Sequence, residues 1–352
     1  MPPLFSFLDN HALLSATNLT IREAARLAEN PLDLRYRAIF PRTPTDSVRL
    51  SEITLVDFRP IGGRREWNAQ GREIPEKLGP ARQFEMVPIN PTHHIDERTL
   101  QLFGESGVAE LLQRGVIGSL DTWPTRLADA TERQLEAEAF EAWYTGKVTV
   151  MDPKTGLTVL VSLGFNPATS YPAAGVIWSD PGQNAYNNLL AGIQAAQSKF
   201  GAVGAARMRR KVASAIIADA PQGTVGGVAI RATLSNVQER VREEGFPDFT
   251  LIVDERTYDA FPDGGSNTVS TPYVPAGLIA YSPASGVVGN TWVAPVVRAY
   301  DFLTGGNRSL ANGVVIFRSE KNDGKTLMIE AQENAIALPV ETLTYVENTL
   351  VV

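Results

Sequence analysis

Two adjacent histidines, His93 and His94, lie in the segment NPTHHIDER beside Asp96 and Glu97, and by residue type they are the first metal-ligand candidates in the chain. Their spacing argues against that role. Consecutive side chains on an extended segment point to opposite faces, so the pair makes a poor bidentate site and reads as part of a solvated loop. The chain contains no cysteine, which removes disulfides, thiolate zinc sites, cysteine nucleophiles and iron–sulfur clusters together. The nearest approaches to a serine nucleophile elbow, Gly104-Glu105-Ser106-Gly107 and Ser285-Gly286, do not have the G-x-S-x-G spacing that exposes a serine on a strand-to-helix turn. Gly324-Lys325-Thr326 supplies the tail of a phosphate loop without its glycine-rich approach, so a hairpin turn is expected there. Gly223 with Gly226-Gly227 resembles a fragment of a dinucleotide loop but lacks the strand-then-helix setting. No catalytic, cofactor-binding or metal-binding residue is assigned.

Three charged groupings remain. Glu136, Glu138 and Glu141 are close enough for paired-carboxylate chemistry, yet they fall along an amphipathic helix whose outer face needs charge for solubility, and a solvated face is the expectation. The run Arg207-Met208-Arg209-Arg210-Lys211 is the most cationic stretch, suited to nucleic acid or to acidic neighbours in the fold; salt bridging within the fold is favoured because the whole chain is anionic. Arg64, Arg65 and Trp67 cluster in a polar loop. Tryptophan with arginine is the composition of interface anchors, so these three are assigned as inter-subunit contacts, against local packing of Trp67 on its own turn.

The elements that must position these residues are legible in part. Residues 1–48 hold one helix, from Thr20 to Ala28, followed by a proline-bearing extended strap. VRLSEITLVDFRPI and ARQFEMVPI form a long hairpin joined by a polar tip from Gly62 to Pro80; a two-stranded ribbon is marginal alone, so its packing partner is expected to be another chain. A long helix is expected from Thr125 to Gly146, with Asp121 or Thr122 as cap and Pro124 in its first turn; a kinked extension of it upstream through GVAELLQRGVIGSLDTW is left open by Gly115, Gly118 and Pro124. Its apolar face carries Leu127, Leu135, Ala139, Ala142 and Trp143, and its charged face Glu132, Glu136 and Glu141. KVTVMDPKTGLTVLVSLGF reads as a hairpin around a Pro/Gly turn. Asp180 and Pro181 are expected to open a helix with Ala185, Leu189, Ile193, Ala196 and Phe200 buried. SNVQERVREEG reads as a helix ending at Gly245, FTLIVDERTYDAF as a strand running into a short helix, and GLIAYSP, TWVAPVVRAY, NGVVIFRSE, KTLMIEAQ and AIALPVETLTYVE as strands, which makes this half α+β with a mixed sheet.

At 352 residues, 43% hydrophobic and 20% charged, the composition is that of a globular chain of roughly two domains and excludes wholesale disorder. A net charge of −7 argues against a surface built to wrap phosphate backbones. The opening MPPLFSFLDNHALL has no basic region before its apolar residues, and no segment reaches about 18 uninterrupted apolar residues, so a soluble, cytoplasmic chain without a membrane partner is expected.

The order of parts, strap, projecting hairpin, long helix and α+β body, resembles a tailed-phage major capsid protein of the lambda-like major head protein family. The likeness is carried by SVRLSEI at 47–53, QLEAEAFEAWYTGKVTV at 134–150 with the turn DPKTG, GVIWSDPGQNAY at 175–186, YVPAGLIAYSP at 273–283 and NAIALPVETLTYVENTLVV at 334–352. The resemblance implies a Hong Kong 97-type phage capsid fold. Its parts would be an N-terminal arm (1–48), an extended β-hairpin loop (49–90), a peripheral domain with a spine helix (91–174), an axial domain (175–338) and a closing strand returning to the peripheral domain (339–352). It implies a non-enzymatic structural protein that self-assembles into hexamers and pentamers of an icosahedral head around double-stranded DNA. The subunit would be located in the virion capsid, and in the host cytoplasm during assembly. The implied partners are further copies of the chain, a separate scaffolding protein, a portal, a small decoration protein and DNA touched non-specifically; no cofactor is implied. Two rivals are an encapsulin-like nanocompartment shell, which has the same fold, and an enzyme with an unrecognised site.

Overall fold

A computed structural model of the chain describes residues 34–47, 49–55, 78–86, 88–95, 116–151, 158–164, 167–169, 177–180, 183–220, 223–225, 228–230, 232–260, 269–294, 296, 310–311, 314–321 and 326–349. In chain order the elements are α1 (Tyr36–Ile39), β1 (Arg42–Pro44), β2 (Arg49–Leu55), β3 (Leu78–Glu85), β4 (Pro88–Ile89), β5 (Thr92–Ile95), α2 (Val116–Thr145), β6 (Lys147–Met151), β7 (Thr158–Ser162), β8 (Ala168–Thr169), α3 (Ala185–Phe200), β9 (Val203–Met208) and α4 (Arg210–Asp219). They continue with β10 (Gly223–Val225), β11 (Val228–Ile230), α5 (Leu234–Glu243), β12 (Thr250–Val253), β13 (Thr257–Ala260), β14 (Val269–Pro272), β15 (Leu278–Pro283), β16 (Gly289–Ala294), β17 (Leu310–Ala311), β18 (Val314–Lys321), β19 (Thr326–Pro339) and β20 (Tyr345–Asn348). The expected helix at 20–28 lies outside the described residues.

Two sheets organise the chain. The first is built on β19, whose early residues pair with β18 and β5 and whose late residues pair with β16 and β4; β1 adds in parallel to β16. The second is the mixed sheet β12-β9-β15-β20-β8, parallel at both ends and antiparallel in the middle. Strand alternation sends Ala206, Met208, Ile279, Tyr281 and Tyr345 to one face, where they form a core with Leu189 and Ile193 of α3, Val212 and Ile216 of α4 and Val237 and Val241 of α5. Ala280 and Val346 go to the other face and pack with Leu135, Phe140, Trp143 and Tyr144 of α2, which also meets Ala335 and Ala337 of β19. Helix α2 therefore sits between two sheets, and its last turns are buried nearly all round.

Several expectations are corrected by the structure. Of the two starts left open for helix α2, the structure has the upstream one, the helix running through Pro124 from Val116; the lost hydrogen bond and ring clash, about 3 kcal/mol, are offset by propagation and by burial of the downstream turns. Its end is as expected: Gly146, at φ 68°, donates its N–H to Ala142 O. Helix α3 is capped not by Asp180 but by Asn184, whose side chain accepts the Asn187 N–H at 2.9 Å, while Asp180 closes a turn ahead of it by accepting the Gln183 N–H. The short helix expected after VDERT is strand β13, paired to β14. KTLMIEAQ and AIALPVETLTYVE, expected as two strands, divide elsewhere: Thr326–Pro339 is the single strand β19, and a helical turn at Glu341–Leu343 separates it from β20. The hairpins β2–β3 and β6–β7 form as expected, each a separate two-stranded sheet.

Candidate functional site: the buried carboxylates at the root of the ribbon

The ribbon β2–β3 is entered from residues 34–47, and the structure shows what holds that segment down. Phe40 is buried against Trp143 with their rings 6.5 Å apart, and β1 adds to β16 through the register Arg42↔Thr291 to Pro44↔Val293. Beneath this contact lies Glu132, which is 2% exposed. Its Oε2 accepts the Tyr36 hydroxyl at 2.7 Å, and its Oε1 accepts Arg37 Nη2 at 2.7 Å and also Arg42 Nη2. The second terminal nitrogen of Arg42 lies 2.9 Å from Glu333 of β19. One arginine thus ties the ribbon root to the long helix and to the central strand. Burial raises Glu333 to about 7, with Arg42 pulling the other way and Glu132 adding to the rise. Burial disfavours the Arg42 charge as well, yet the two carboxylates and Tyr36 more than compensate and raise its pKa.

One turn further along α2, Glu136 accepts the Arg35 N–H at 3.1 Å and Arg256 Nη1 at 2.9 Å. The Arg256 guanidinium also grips Asp254 from Nε and Nη2, each at 3.0 Å, and Asp254 takes Arg207 Nη1 at 2.6 Å. Both guanidiniums lie over the Phe140 ring, at 5.4 Å for Arg207 and 5.9 Å for Arg256. Burial works to raise Asp254, but the hydrogen bonds and charge of Arg256, with Arg207, hold it below its ordinary value. Glu136 is raised, by burial first, against the opposing Arg256.

This overturns the expectation of a solvated carboxylate face. Glu132 and Glu136 are buried junction residues, and Glu141 accepts both the N–H and the hydroxyl of Thr149 in β6. The basic run behaves as the salt-bridging reading expects, since Arg207 pairs with Asp254 and Arg209 with Glu255 at 3.2 Å. Its last residues border an open groove of about 830 Å³ whose floor includes Trp178, Val212 and Ala215. Both carboxylates at that groove are engaged, Glu255 accepting the Arg210 N–H and Asp219 the Ala185 N–H at 2.8 Å. His93 and His94 sit on strand β5 rather than in a loop, opposite Ile329 and Met328, with His93 half-buried and His94 exposed as alternation requires. No group of three or more metal-ligating side chains occurs among the described residues. Gly223 opens β10, which pairs antiparallel with β11, and Lys321 of β18 pairs with Thr326 of β19; Gly226, Gly227, Gly324 and Lys325 lie outside the described residues. Arg64, Arg65 and Trp67, the assigned inter-subunit contacts, lie outside the described residues.

No family model matches the sequence, and no curated protein matches it. Solved structures do. A phage-related protein from Bordetella bronchiseptica RB50 superposes with a TM-score of 0.50 at 12% identity, covering 93% of this chain and 96% of its own. A proposed prophage capsid protein from Escherichia coli CFT073 superposes with a TM-score of 0.52 at 12% identity, covering 93% and 98%. At this identity the likeness is one of fold. The chain has the mixed helix-and-sheet fold of these two phage proteins over nearly its whole length.

Proposed function

We propose that the chain is a tailed-phage major capsid protein, a structural subunit that assembles with further copies of itself into a closed shell. The observation that carries this reading is the near-complete coverage, in both directions, of a proposed prophage capsid protein. A catalytic domain grafted onto the fold would leave a large unmatched stretch. The separate ribbon β2–β3 and the anchored segment at its root support the reading, because a two-stranded ribbon gains its stability from what it lies on. Buried carboxylates that lock the root to α2 would transmit load from the ribbon to the body.

In finer terms, the proposed organisation is Hong Kong 97-type and lambda-like. It comprises an arm at 1–48, an extended loop at 49–90, a peripheral domain at 91–174 containing α2, an axial domain at 175–338 and a closing strand at 339–352. Copies would form hexamers and pentamers of an icosahedral head, since closed symmetry keeps self-association finite. A scaffolding protein, a portal and a decoration protein would assist, and double-stranded DNA would fill an interior to which an anionic subunit adheres little. Expression together with a scaffolding protein, followed by negative-stain electron microscopy, tests the proposal. Closed shells are expected; a preparation holding only monomers or small closed rings overturns it.

A further inference from the structure

Glu347 lies on β20, inside the five-stranded sheet, with no exposed surface. Tyr281 of the adjacent β15 donates its hydroxyl to Oε2 at 2.7 Å, and the Tyr345 hydroxyl reaches Oε1 at 3.4 Å, the two rings lying 5.6 Å apart. Helix α3 closes over this cluster so tightly that a Cβ placed on Gly192 would stand 2.6 Å from Glu347 Oε1 and closer still to Oε2 and to the Tyr281 hydroxyl. Among the described residues no cation pairs with the carboxyl. The ammonium on α3, Lys199, donates instead to Thr344 O at 2.6 Å and is drawn to Glu341. On β9, Arg207 is in register with Ala280, on the α2 side of the sheet, and is bonded to Asp254. The register neighbour on β8 is Thr169. Among the described side chains, what faces Glu347 is therefore two phenols, with the backbone of α3 above them.

An unpaired carboxylate is far costlier to bury than a carboxylic acid. We propose that Glu347 is carried as the neutral acid and that the Glu347–Tyr281–Tyr345 cluster is a proton-dependent lock holding α3 on the sheet, released when the carboxyl ionises and draws water beneath Gly192. Consistent with this, burial pushes Glu347 from its ordinary value of 4.5 up to about 8, against the two tyrosine hydroxyls, which favour the charged form. The sign follows. Below the ordinary value both folded and unfolded chains hold the proton and the stabilisation is fully present. From there up to about 8 only the folded chain keeps it, so stability falls as pH rises. Above that it changes no further.

The test is urea unfolding of the full-length subunit and of its Glu347→Gln variant between acidic and mildly alkaline pH. Glutamine keeps an acceptor for Tyr281 and cannot ionise, and the comparison cancels every other titrating group. The wild-type unfolding constant relative to the variant should rise about tenfold per pH unit within the window; a ratio that does not change with pH overturns the proposal. Should Glu347→Gln not fold, Tyr281→Phe serves: losing a hydroxyl that favours the charged form should extend the decline to higher pH, and an unmoved limit overturns the assignment. Release of the lock is read by amide exchange over 185–200 and 345–348, corrected for intrinsic rates. It should accelerate above the upper limit in wild type only, and equal acceleration in both proteins rejects the lock.

Discussion

Arg256 bonds Glu136 of α2 at 2.9 Å and holds Asp254 at the end of β12 through two further hydrogen bonds, so a single guanidinium joins the long helix to the five-stranded sheet across 120 residues of sequence. Glu136 and Asp254 are almost wholly buried, so removing the cation leaves Glu136 with the Arg35 N–H and Asp254 with Arg207 as its one guanidinium. Arg256→Met should destabilise the subunit by roughly 3–5 kcal/mol in urea unfolding, the usual cost of breaking a buried pair from one side. Arg256→Lys should recover only part of it, because an ammonium cannot make the two-pronged contact with Asp254. A loss under about 1 kcal/mol for Arg256→Met would show that the junction is not a main support of the fold.

Asp254 gives an acid-side prediction. Its carboxyl is held below the ordinary value of 3.8 despite its burial, so its ionised form contributes stability that is present above that value and is lost as pH falls through the lower, folded-state value. Asp254→Asn should lower stability at neutral pH and flatten the acid limb of the stability curve relative to wild type. Parallel acid limbs, measured by urea midpoint at successive pH values, would assign the acid sensitivity to other carboxylates.

Why the expected solvated face of α2 is in fact a buried junction is a matter of range. The helical repeat places Glu132 and Glu136 one turn apart, and local sequence then reads them as solubilising charge. Their partners Arg37 and Arg42 stand about ninety residues upstream and Arg256 far downstream, and only tertiary packing brings them together. What depended on near neighbours was legible: the antiparallel pairing of β6 with β7, the glycine stop at Gly146, the buried stripe of α3 from Ala185 to Ala196. Features decided by distant pairing were not. Strand β19 runs unbroken past Glu333 and Asn334 because β16, β4, β5 and β18 supply partners along its length, where the polar residues suggest two short strands. Asn184 is the cap because it stands directly before Ala185 and its side chain reaches the Asn187 N–H, whereas Asp180 lies ahead of it in the chain.

Gly289 opens β16 directly against Pro339 at the end of β19, and a Cβ there would stand 2.6 Å from Pro339 Cα, 2.8 Å from the Phe40 ring and closer still to Leu338 O. Two of these contacts are backbone and cannot rotate away. Gly289→Ala should therefore prise β16 from β19 and loosen Phe40, with a loss of about 1–3 kcal/mol typical of overpacking. Thermal melting of Gly289→Ala checks this; an unchanged midpoint would mean that the strands separate here without cost.

The last prediction separates assembly from folding. If the ribbon tip anchors on a neighbouring copy, as the proposed shell requires, then alanine at Arg64, Arg65 and Trp67 removes contacts that exist only between subunits. The isolated subunit should keep its melting temperature while the yield of closed shells falls steeply, because each shell repeats the lost contact at every subunit. Arg42→Ala is the internal comparison: it leaves Glu132 and Glu333 without a shared cation and should lower the melting temperature as well as the shell yield. The two variants together distinguish a ribbon whose grip lies at its tip from one whose root alone matters. Normal shells from the triple-alanine variant would put the grip elsewhere on the ribbon, and a lowered subunit melting temperature in that variant would return Trp67 to packing within its own chain.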